Sequence, residues 1–372
     1  MSLSPRHRYL FHTTQGASPT DIRRLVGGTA KYLPRVDMWV GYLPPARLAS
    51  LSRTGWLEWS EPDRGIQVPP PVARHRPPAS RPWGVDFVDA PAAWPLTEGE
   101  GTRVAVIDTG IDYRHQNLTT GIGIGVNLVS PGSRPQDDSG HGTHVAGTIA
   151  ARTGARTIPG LVGVAPAATI YPVKAFDRNG MGSLSWVVEA IDWCIAMQAS
   201  VVNMSFGLAK ESQALSHALA HAARAGLVLV AAAGNRGQAG PVDWPARYPE
   251  VLAITALARG GAWADFSSRG QEVALAAPGH EVVSSWPGRG HPVALSGTSM
   301  ACPHVTGVAA LILGYRPRLP RELVHQALIM GARRLPHLAS DQQGAGVVSA
   351  TGSLGHVNGK TESPAPTATP RG

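Results

Sequence analysis

From Trp83 onward the apolar residues fall into two alternating patterns. Arg103 to Asp108 is a continuous apolar run closed by Thr109-Gly110, as expected of a parallel strand covered on both faces. Thr169 to Ala175, Val201 to Ser205 and Leu227 to Ala232 repeat that pattern. Between them the spacing is helical. A helix opens at His141, Leu184, Val187, Val188, Ile191 and Ile195 form an amphipathic stripe after Ser183, and Leu215, Leu219 and Ala222 share a helix stopped by Gly226. After Gly297 the spacing of Val305, Val308, Ala309, Leu311 and Ile312 predicts a helix from Ser299 to about Leu313, and Pro320 to Met330 predicts another. Alternating strand and helix predict an α/β fold with a doubly wound, mainly parallel sheet. Ligands bind such sheets beyond the carboxyl ends of the strands, and Asp108, Ser205 and Asn235 fall at three of those ends.

The first 65 residues follow a different pattern and predict a small α+β unit. Tyr9-Leu10-Phe11, Val36 to Leu43 and Trp56 to Ser60 read as strands, with Met38 and Val40 among the apolar positions. Asp21 to Val26 and Ala46 to Leu51 read as helices over that sheet, the second ended by Gly55. The segment VPPPVARHRPPASRP follows, and its prolines lack the N–H that regular pairing needs. The expected organisation is therefore a unit over 1–65, a Pro/Arg-rich linker over 66–82, an α/β domain over 83–355 and a disordered tail over 356–372, where Pro364, Pro366 and Pro370 stand among small polar residues.

Composition narrows the function classes. The chain has 372 residues, 43% of them apolar, enough for a large core without staples. Its net charge of +8 rests almost wholly on scattered arginines with no aromatic-interleaved basic run, so no nucleic-acid partner is expected. Cys194 and Cys302 lie in apolar helical patterns far apart and read as buried thiols. No apolar stretch reaches membrane-spanning length, so no membrane partner is expected either.

Four residues carry candidate chemistry. Ser299, in Gly297-Thr298-Ser299-Met300-Ala301, is placed at a helix N-terminus, where free N–H groups and the dipole favour negative charge. His141 lies in Ser139-Gly140-His141-Gly142-Thr143-His144, whose small residues permit close backbone approach. Asp108 closes a strand, and Asn235 follows Gly234 at the end of another. Each has a structural reading alone: an N-cap, a packed imidazole, a turn carboxylate and a turn amide. Together they supply a hydroxyl, a base, a carboxylate to orient the base and an amide donor for an oxyanion.

The segments Val106-Ile107-Asp108-Thr109-Gly110, His141-Gly142-Thr143-His144-Val145-Ala146-Gly147-Thr148 and Gly297-Thr298-Ser299-Met300-Ala301-Cys302-Pro303-His304 resemble the motifs of the subtilisin-like serine proteases, in the same order Asp, His, Ser. The resemblance spans about Trp83 to Ala350 and implies a serine endopeptidase with Ser299 as nucleophile, His141 as base, Asp108 as its orienter and Asn235 as oxyanion donor. It implies that Gly180-Met181-Gly182 and Ser205-Phe206-Gly207 pair with an extended protein or peptide substrate and that Ala232, Ala233 and Gly234 wall the specificity pocket. Residues 1 to about 75 resemble the family's propeptide, most clearly in Trp56-Leu57-Glu58-Trp59-Ser60-Glu61-Pro62-Asp63, which implies an intramolecular chaperone and inhibitor removed by autocleavage.

The same resemblance implies a monomer and no cofactor for catalysis. A structural calcium site common in the family looks altered. Asn117 stands where many relatives have an aspartate, Ala79 where they have a glutamine, and the loop Arg152 to Gly160 carries Arg152 and Arg156 instead of an asparagine-rich turn. Other histidines read as structural: His144 one turn after His141, and His304 within the serine motif. His217 and His221 have metal-ligand spacing without an evident third ligand. A long propeptide goes with export in the family, so the resemblance implies a secreted enzyme; MSLSPRHRYLFHTT has no apolar core of the secretory type, which leaves a cytoplasmic location as the alternative.

Specificity turns on Asp243. Aligned with the family, it falls where relatives have a small residue at the pocket base, which implies a preference for Arg or Lys before the scissile bond. Asp243 turned outward, or paired with Arg247, would instead leave an apolar or broad pocket. The basic-pocket reading points to processing at Arg74-His75, because Arg76 and Arg81 precede prolines. The other function class, a catalytically silent binding protein on the same fold, is disfavoured because all three triad members and Asn235 are present.

Overall fold

A computed structural model of the chain describes residues 8–14, 16–28, 30–68, 74–75, 81–154, 157–237, 240–288 and 291–358. The N-terminal unit comprises β1 (Arg8–Thr13), α1 (Pro19–Val26), β2 (Ala30–Leu33), β3 (Met38–Tyr42), α2 (Pro45–Arg53) and β4 (Leu57–Pro62). Its antiparallel sheet has the order β2-β3-β1-β4. Side chains alternate across a strand, and both faces here are apolar. Phe11 and Trp39 point to the unit's own helices and stack with centroids 6.1 Å apart. Leu10, Met38 and Val40 point the other way and enter the core of the following domain. The strand β2 was not expected from the sequence; four residues are too few for a legible period.

Two short strands follow, β5 (Gly65–Gln67) and β6 (Arg74–His75), then α3 (Trp83–Phe87) and α4 (Ala90–Ala93). The expectation of a linker without regular pairing is corrected here. Both strands use stretches free of proline and take their partners from the large domain. Pairing of that kind leaves no periodic signal in the segment itself.

The large domain is built on β7 (Arg103–Asp108), β8 (Val126–Asn127), α5 (His141–Ala150), β9 (Thr169–Lys174), β10 (Met181–Ser183), α6 (Leu184–Ala196), β11 (Val201–Met204), α7 (Gln213–Arg224), β12 (Val228–Ala232), β13 (Val251–Leu257) and β14 (Val273–Pro278). β15 (Val282–Ser284), β16 (Val293–Leu295), α8 (Thr298–Tyr315), α9 (Arg321–Met330), α10 (Ser340–Gln343) and α11 (Ala350–Asn358) complete it. A seven-stranded sheet, order β14-β13-β12-β11-β7-β9-β8, is parallel throughout. The order reverses at β7, which places a crevice at the carboxyl ends of β7 and β11. Helices cover both faces: α5, α8, α9 and α11 contribute to one core, α6 and α7 to the other. The tail expected from His356 starts later, because α11 runs through that residue; the rest of the tail lies outside the described residues. No described helix is long and apolar enough to cross a membrane.

The N-terminal unit is docked by more than its apolar face. Asp63 accepts from the Ser185 N–H (3.0 Å) and hydroxyl (2.7 Å) in the first turn of α6. Glu61 accepts from the Ser212 hydroxyl (2.8 Å) and the Ala214 N–H (3.1 Å) at the start of α7. Two carboxylates thus sit at two helix N-termini, where orphan N–H groups and the dipole favour negative charge by about 1 kcal/mol each. From the large domain, Asp192 accepts from the Arg35 N–H at 2.8 Å, and Glu189 pairs with Arg8 (3.2 Å) and Lys31 (2.8 Å).

A histidine face completes this contact. His12 of β1 lies against His217 of α7 with centroids 4.7 Å apart, and His217 lies 4.7 Å from His221 on the same helix. Around them stand Glu58 and Asp37, both hydrogen-bonded to His12, the Trp59 ring, and Arg224 beside His221. Burial, then His12 and His221, lower the His217 pKa from 6.5 to about 4, against the Val36 carbonyl and Asp37. A histidine with a depressed pKa binds fewer protons docked than free, so docking is full above the ordinary pKa and weakens as pH falls below it. Urea-induced undocking of the N-terminal unit, followed in the full chain, should need less urea as pH drops from 6.5 towards 4. His217→Gln should flatten that dependence, and an unchanged slope would remove His217 as its cause.

Candidate active site

The elements that hold the candidate residues meet at the reversal of strand order. Asp108 ends β7 and is fully buried; its Oδ1 accepts from the Thr109 N–H at 2.7 Å. His141 begins α5, and its Nδ1 lies 2.8 and 3.0 Å from the two oxygens of Asp108. Close approach is what the surrounding glycines permit. A Cβ on Gly142 would lie 2.1 Å from the Gly110 carbonyl oxygen, and Gly140 turns into the helix with φ 106°. Burial works against a charged imidazole, but the charge and hydrogen bond of Asp108, with Asp137 behind, outweigh it and raise the His141 pKa.

Asp137, which the sequence reading did not single out, holds this turn together. It accepts from the N–H groups of Ser139, Gly140 and Thr143, each at 2.9 Å, and from the hydroxyls of Thr109 and Thr143. Five donors meet this buried carboxylate, yet burial outweighs them and raises its pKa. The sequence signal for it was a bare Asp-Asp pair.

Ser299 is the second residue of α8, preceded by Gly297 as the cap. Its hydroxyl donates to the Ser205 carbonyl at 3.0 Å, and the Ser205 hydroxyl donates to the Ser299 carbonyl at 3.0 Å. The second bond fills a gap made by Pro303, which has no N–H to give to the carbonyl four residues earlier. Behind it lies a buried polar chain absent from the sequence reading. Asn203 of β11 donates to the Ser205 hydroxyl (2.8 Å) and accepts from the Cys302 thiol (3.2 Å) and the Thr306 hydroxyl (2.9 Å). Burial pushes the Cys302 thiol up to about 12, so it is a packed hydrogen-bond donor and not a nucleophile.

In this state the Ser299 proton is not directed at His141, and no hydrogen bond between the two forms among the described residues. Catalytic hydrogen bonds are often long or misaligned in a ligand-free enzyme and tighten only in the substrate complex. Asn235 is held by its carbonyl: Oδ1 accepts from the Thr298 N–H (2.9 Å) and hydroxyl (3.0 Å). Its Nδ2 is left facing the turn at Gly297, where a Cβ would lie 3.4 Å away. The amide and the Ser299 N–H at the start of α8 therefore lie beside the serine, while the neighbouring Thr298 and Met300 N–H groups are bound to Asn235 and to the Gly297 carbonyl.

The remaining predicted residues line the same rim. Gly180, Met181 and Gly182 form one edge, already occupied by the chain's own β5: Gly182 pairs with Ile66, and the Val68 N–H donates to the Gly180 carbonyl at 2.8 Å. Arg74-His75 is not on that edge; it pairs with Val293 and Ala294 of β16. Phe206 is buried and packs on Phe176 at 5.1 Å, while Gly207 faces Asp243. Ala232 and Ala233 are buried at the end of β12, and the Ala233 carbonyl accepts from the Asp243 N–H at 2.8 Å.

Asp243 neither turns outward nor pairs with Arg247, which bonds Glu272 at 3.0 Å. Its carboxylate lies under two glycines, with Oδ2 2.8 and 2.5 Å from where Cβ atoms of Gly207 and Gly234 would be. Arg236, the residue after Asn235, bonds it at 2.7 Å; the carboxylate side chain is 13% exposed and the guanidinium side chain 40%. Burial raises the Asp243 pKa, with Arg236 opposing. The other histidines lie elsewhere. His144 bonds the carbonyls of Val282 and Val293, burial taking its pKa down to about 3. His304 bonds the Met300 carbonyl at 2.9 Å, and His217 and His221 face the N-terminal unit.

A thermostable alkaline protease of Halalkalibacterium halodurans is 44% identical over 248 residues, covering 66% of this chain and 66% of that protein. Subtilisin E of Bacillus subtilis is 43% identical over 64% of this chain and 62% of its own length, and a subtilisin of Bacillus pumilus is 43% identical over 64% and 86%. The chain thus spans just under two thirds of the length of the first two. The subtilase family model matches residues 99–346, which include Asp108, His141, Asn235 and Ser299. The chain belongs to the subtilase family.

Proposed function

We propose that the protein is a serine endopeptidase that cleaves protein or peptide substrates through an acyl-enzyme. The observation that carries this reading is the Asp108–His141 contact of 2.8 Å at the strand ends, with Ser299 on the first turn of α8 and the Asn235 amide turned toward it. In this reading His141 takes the Ser299 proton as the hydroxyl attacks the carbonyl carbon. Asp108 holds the imidazole with its Nδ1 proton inward and stabilises the cation that forms. The oxyanion is received by the Asn235 Nδ2 and the Ser299 N–H, and His141 then delivers its proton to the leaving amine. None of these steps draws on a cofactor. One relative, 40% identical over 62% of this chain, is named a minor extracellular protease, which supports an extracellular setting for this activity.

The N-terminal unit acts as the inhibitor in this reading. β5 adds a strand to the β10 edge, where an extended substrate would pair, and Glu61 and Asp63 anchor it on α7 and α6. Ser299→Ala should abolish turnover, by roughly a millionfold as subtilisin itself shows when its serine is removed, and should leave the purified chain at full-length mass. Maturation of that variant with no other protease present would overturn the assignment.

The preference for Arg or Lys before the scissile bond rests on Asp243. A half-buried carboxylate beneath Gly207 and Gly234 is paired at rest with a guanidinium of the chain, and a substrate cation would take over that pairing. Because the exchange replaces one cation by another, the substrate gains only the difference between the two pairings. Asp243→Ser should lower the Arg-to-Phe ratio of kcat/KM by about tenfold or more. An unchanged ratio would leave the peptidase reading standing and remove the basic pocket.

A further inference from the structure

The loop that follows α5 turns three backbone carbonyls, those of Arg152, Ile158 and Leu161, toward one buried point. The side-chain amide of Asn117 fills that point. Asn117 is fully buried, and its Nδ2 donates to Arg152 at 2.8 Å and Leu161 at 3.0 Å, with Ile158 at 3.4 Å on the margin. Its Oδ1 accepts from the Ile158 N–H at 3.0 Å, which fixes the end of the amide that carries the hydrogens. The Arg152 N–H in turn donates to the Asn117 carbonyl at 2.8 Å.

Carbonyls that converge without a donor repel one another, so such a loop needs a positively polarised centre. A calcium ion supplies one with oxygen ligands at about 2.4 Å and draws in carboxylates to balance its charge. The family's calcium site does not fit the residues here. The centre is an N–H donor, which cannot ligate a cation, and the same loop carries the Arg152 guanidinium, which donates to the Ala168 carbonyl at 3.2 Å. Arg156 and Ala79 lie outside the described residues. We infer that the Asn117 amide stands in for a structural cation, closing this loop by hydrogen bonds where a calcium-bound relative would use metal–oxygen bonds.

Two consequences separate this device from a calcium site. Removing the amide destabilises the loop in a way that calcium does not restore, and replacing its nitrogen by oxygen turns the cradle into an oxygen-only site. The experiment uses the full chain carrying Ser299→Ala to prevent self-digestion, with calcium bound per chain measured by equilibrium dialysis and melting followed in calcium and in EGTA. Asn117→Asp should bind one more calcium than the parent, and calcium should raise its midpoint by about 5 °C or more. Folding of that variant only in calcium would support the inference equally. Asn117→Ala should melt below the parent in either buffer with the same calcium content. If Asn117→Ala loses one calcium relative to the parent, the loop holds a cation in the native protein and the inference is overturned. It is overturned too if folded Asn117→Asp gains none. Should Asn117→Asp not fold in either buffer, the calcium content of Asn117→Ala decides alone.

Discussion

The site depends on how the first turn of α8 is tied to the strand ends beneath it. A helix N-terminus offers free N–H groups only if its remaining polar atoms are satisfied without them. Here Thr298 is bound through both N–H and hydroxyl to Asn235, and Ser299 exchanges two hydrogen bonds with Ser205. Cys302 and Thr306, one turn apart, fasten the next part of the helix to Asn203. Pro303 belongs to this arrangement, because its missing N–H leaves the Ser299 carbonyl for Ser205. A proline inside a helix ordinarily weakens it; this one binds the helix to the sheet. The consequence is positional: Ser299 cannot shift along α8 without breaking bonds to two strands at once.

Much of this geometry was legible because it sits at element ends. Asp108, Ser205 and Asn235 close apolar runs, so the patterning places these three on one rim, and Ser299 opens a run at a helix N-terminus. The elements that were missed are those whose stability comes from elsewhere. Val251–Leu257 is a central strand, but a continuous apolar run has no period and its neighbours decide its state. β5 and β6 exist only through their partners on β10 and β16. Asn203 looks like an interruption in Val-Val-Asn-Met and is the polar hub under α8. Asp137 could have been found by asking what satisfies the N–H groups of a Ser-Gly-His-Gly-Thr turn. The partner of Asp243 could not, since Arg236 and Arg247 are both near in sequence and only the backbone path distinguishes them.

The N-terminal unit shows how one small sheet serves two cores. Period-two alternation sends Phe11 and Trp39 to its own helices and Leu10, Met38 and Val40 into the large domain. One apolar face of its sheet is thus buried only while it is docked, and the capping by Glu61 and Asp63 likewise exists only there. A unit of this size buries little surface alone, so its folding and its docking are coupled. Glu61 and Asp63 lie within and just beyond β4, which leads directly into β5, so the anchors on α7 and α6 also fix where the following residues meet the β10 edge.

Three positions in this chain share one solution. β5 pairs the edge of β10, Arg236 pairs the carboxylate of Asp243, and the Asn117 amide fills the carbonyls of the loop after α5. In each case a group of the chain satisfies polar atoms that its own fold leaves without a partner, and for the buried carbonyls around Asn117 leaving them unsatisfied would be a loss of about 1–3 kcal/mol per group. The solutions differ in reversibility. Arg236 has a 40% exposed side chain on a flexible stem, so it can leave at little loss of packing. β5 is held by neighbouring anchors and can leave only with them or after the chain is cut. Asn117 is fully buried and bonded on both ends of its amide, so nothing short of local unfolding exchanges it. Reversibility thus falls with burial, from the exposed stem of Arg236, through the paired strand β5, to the fully buried amide of Asn117.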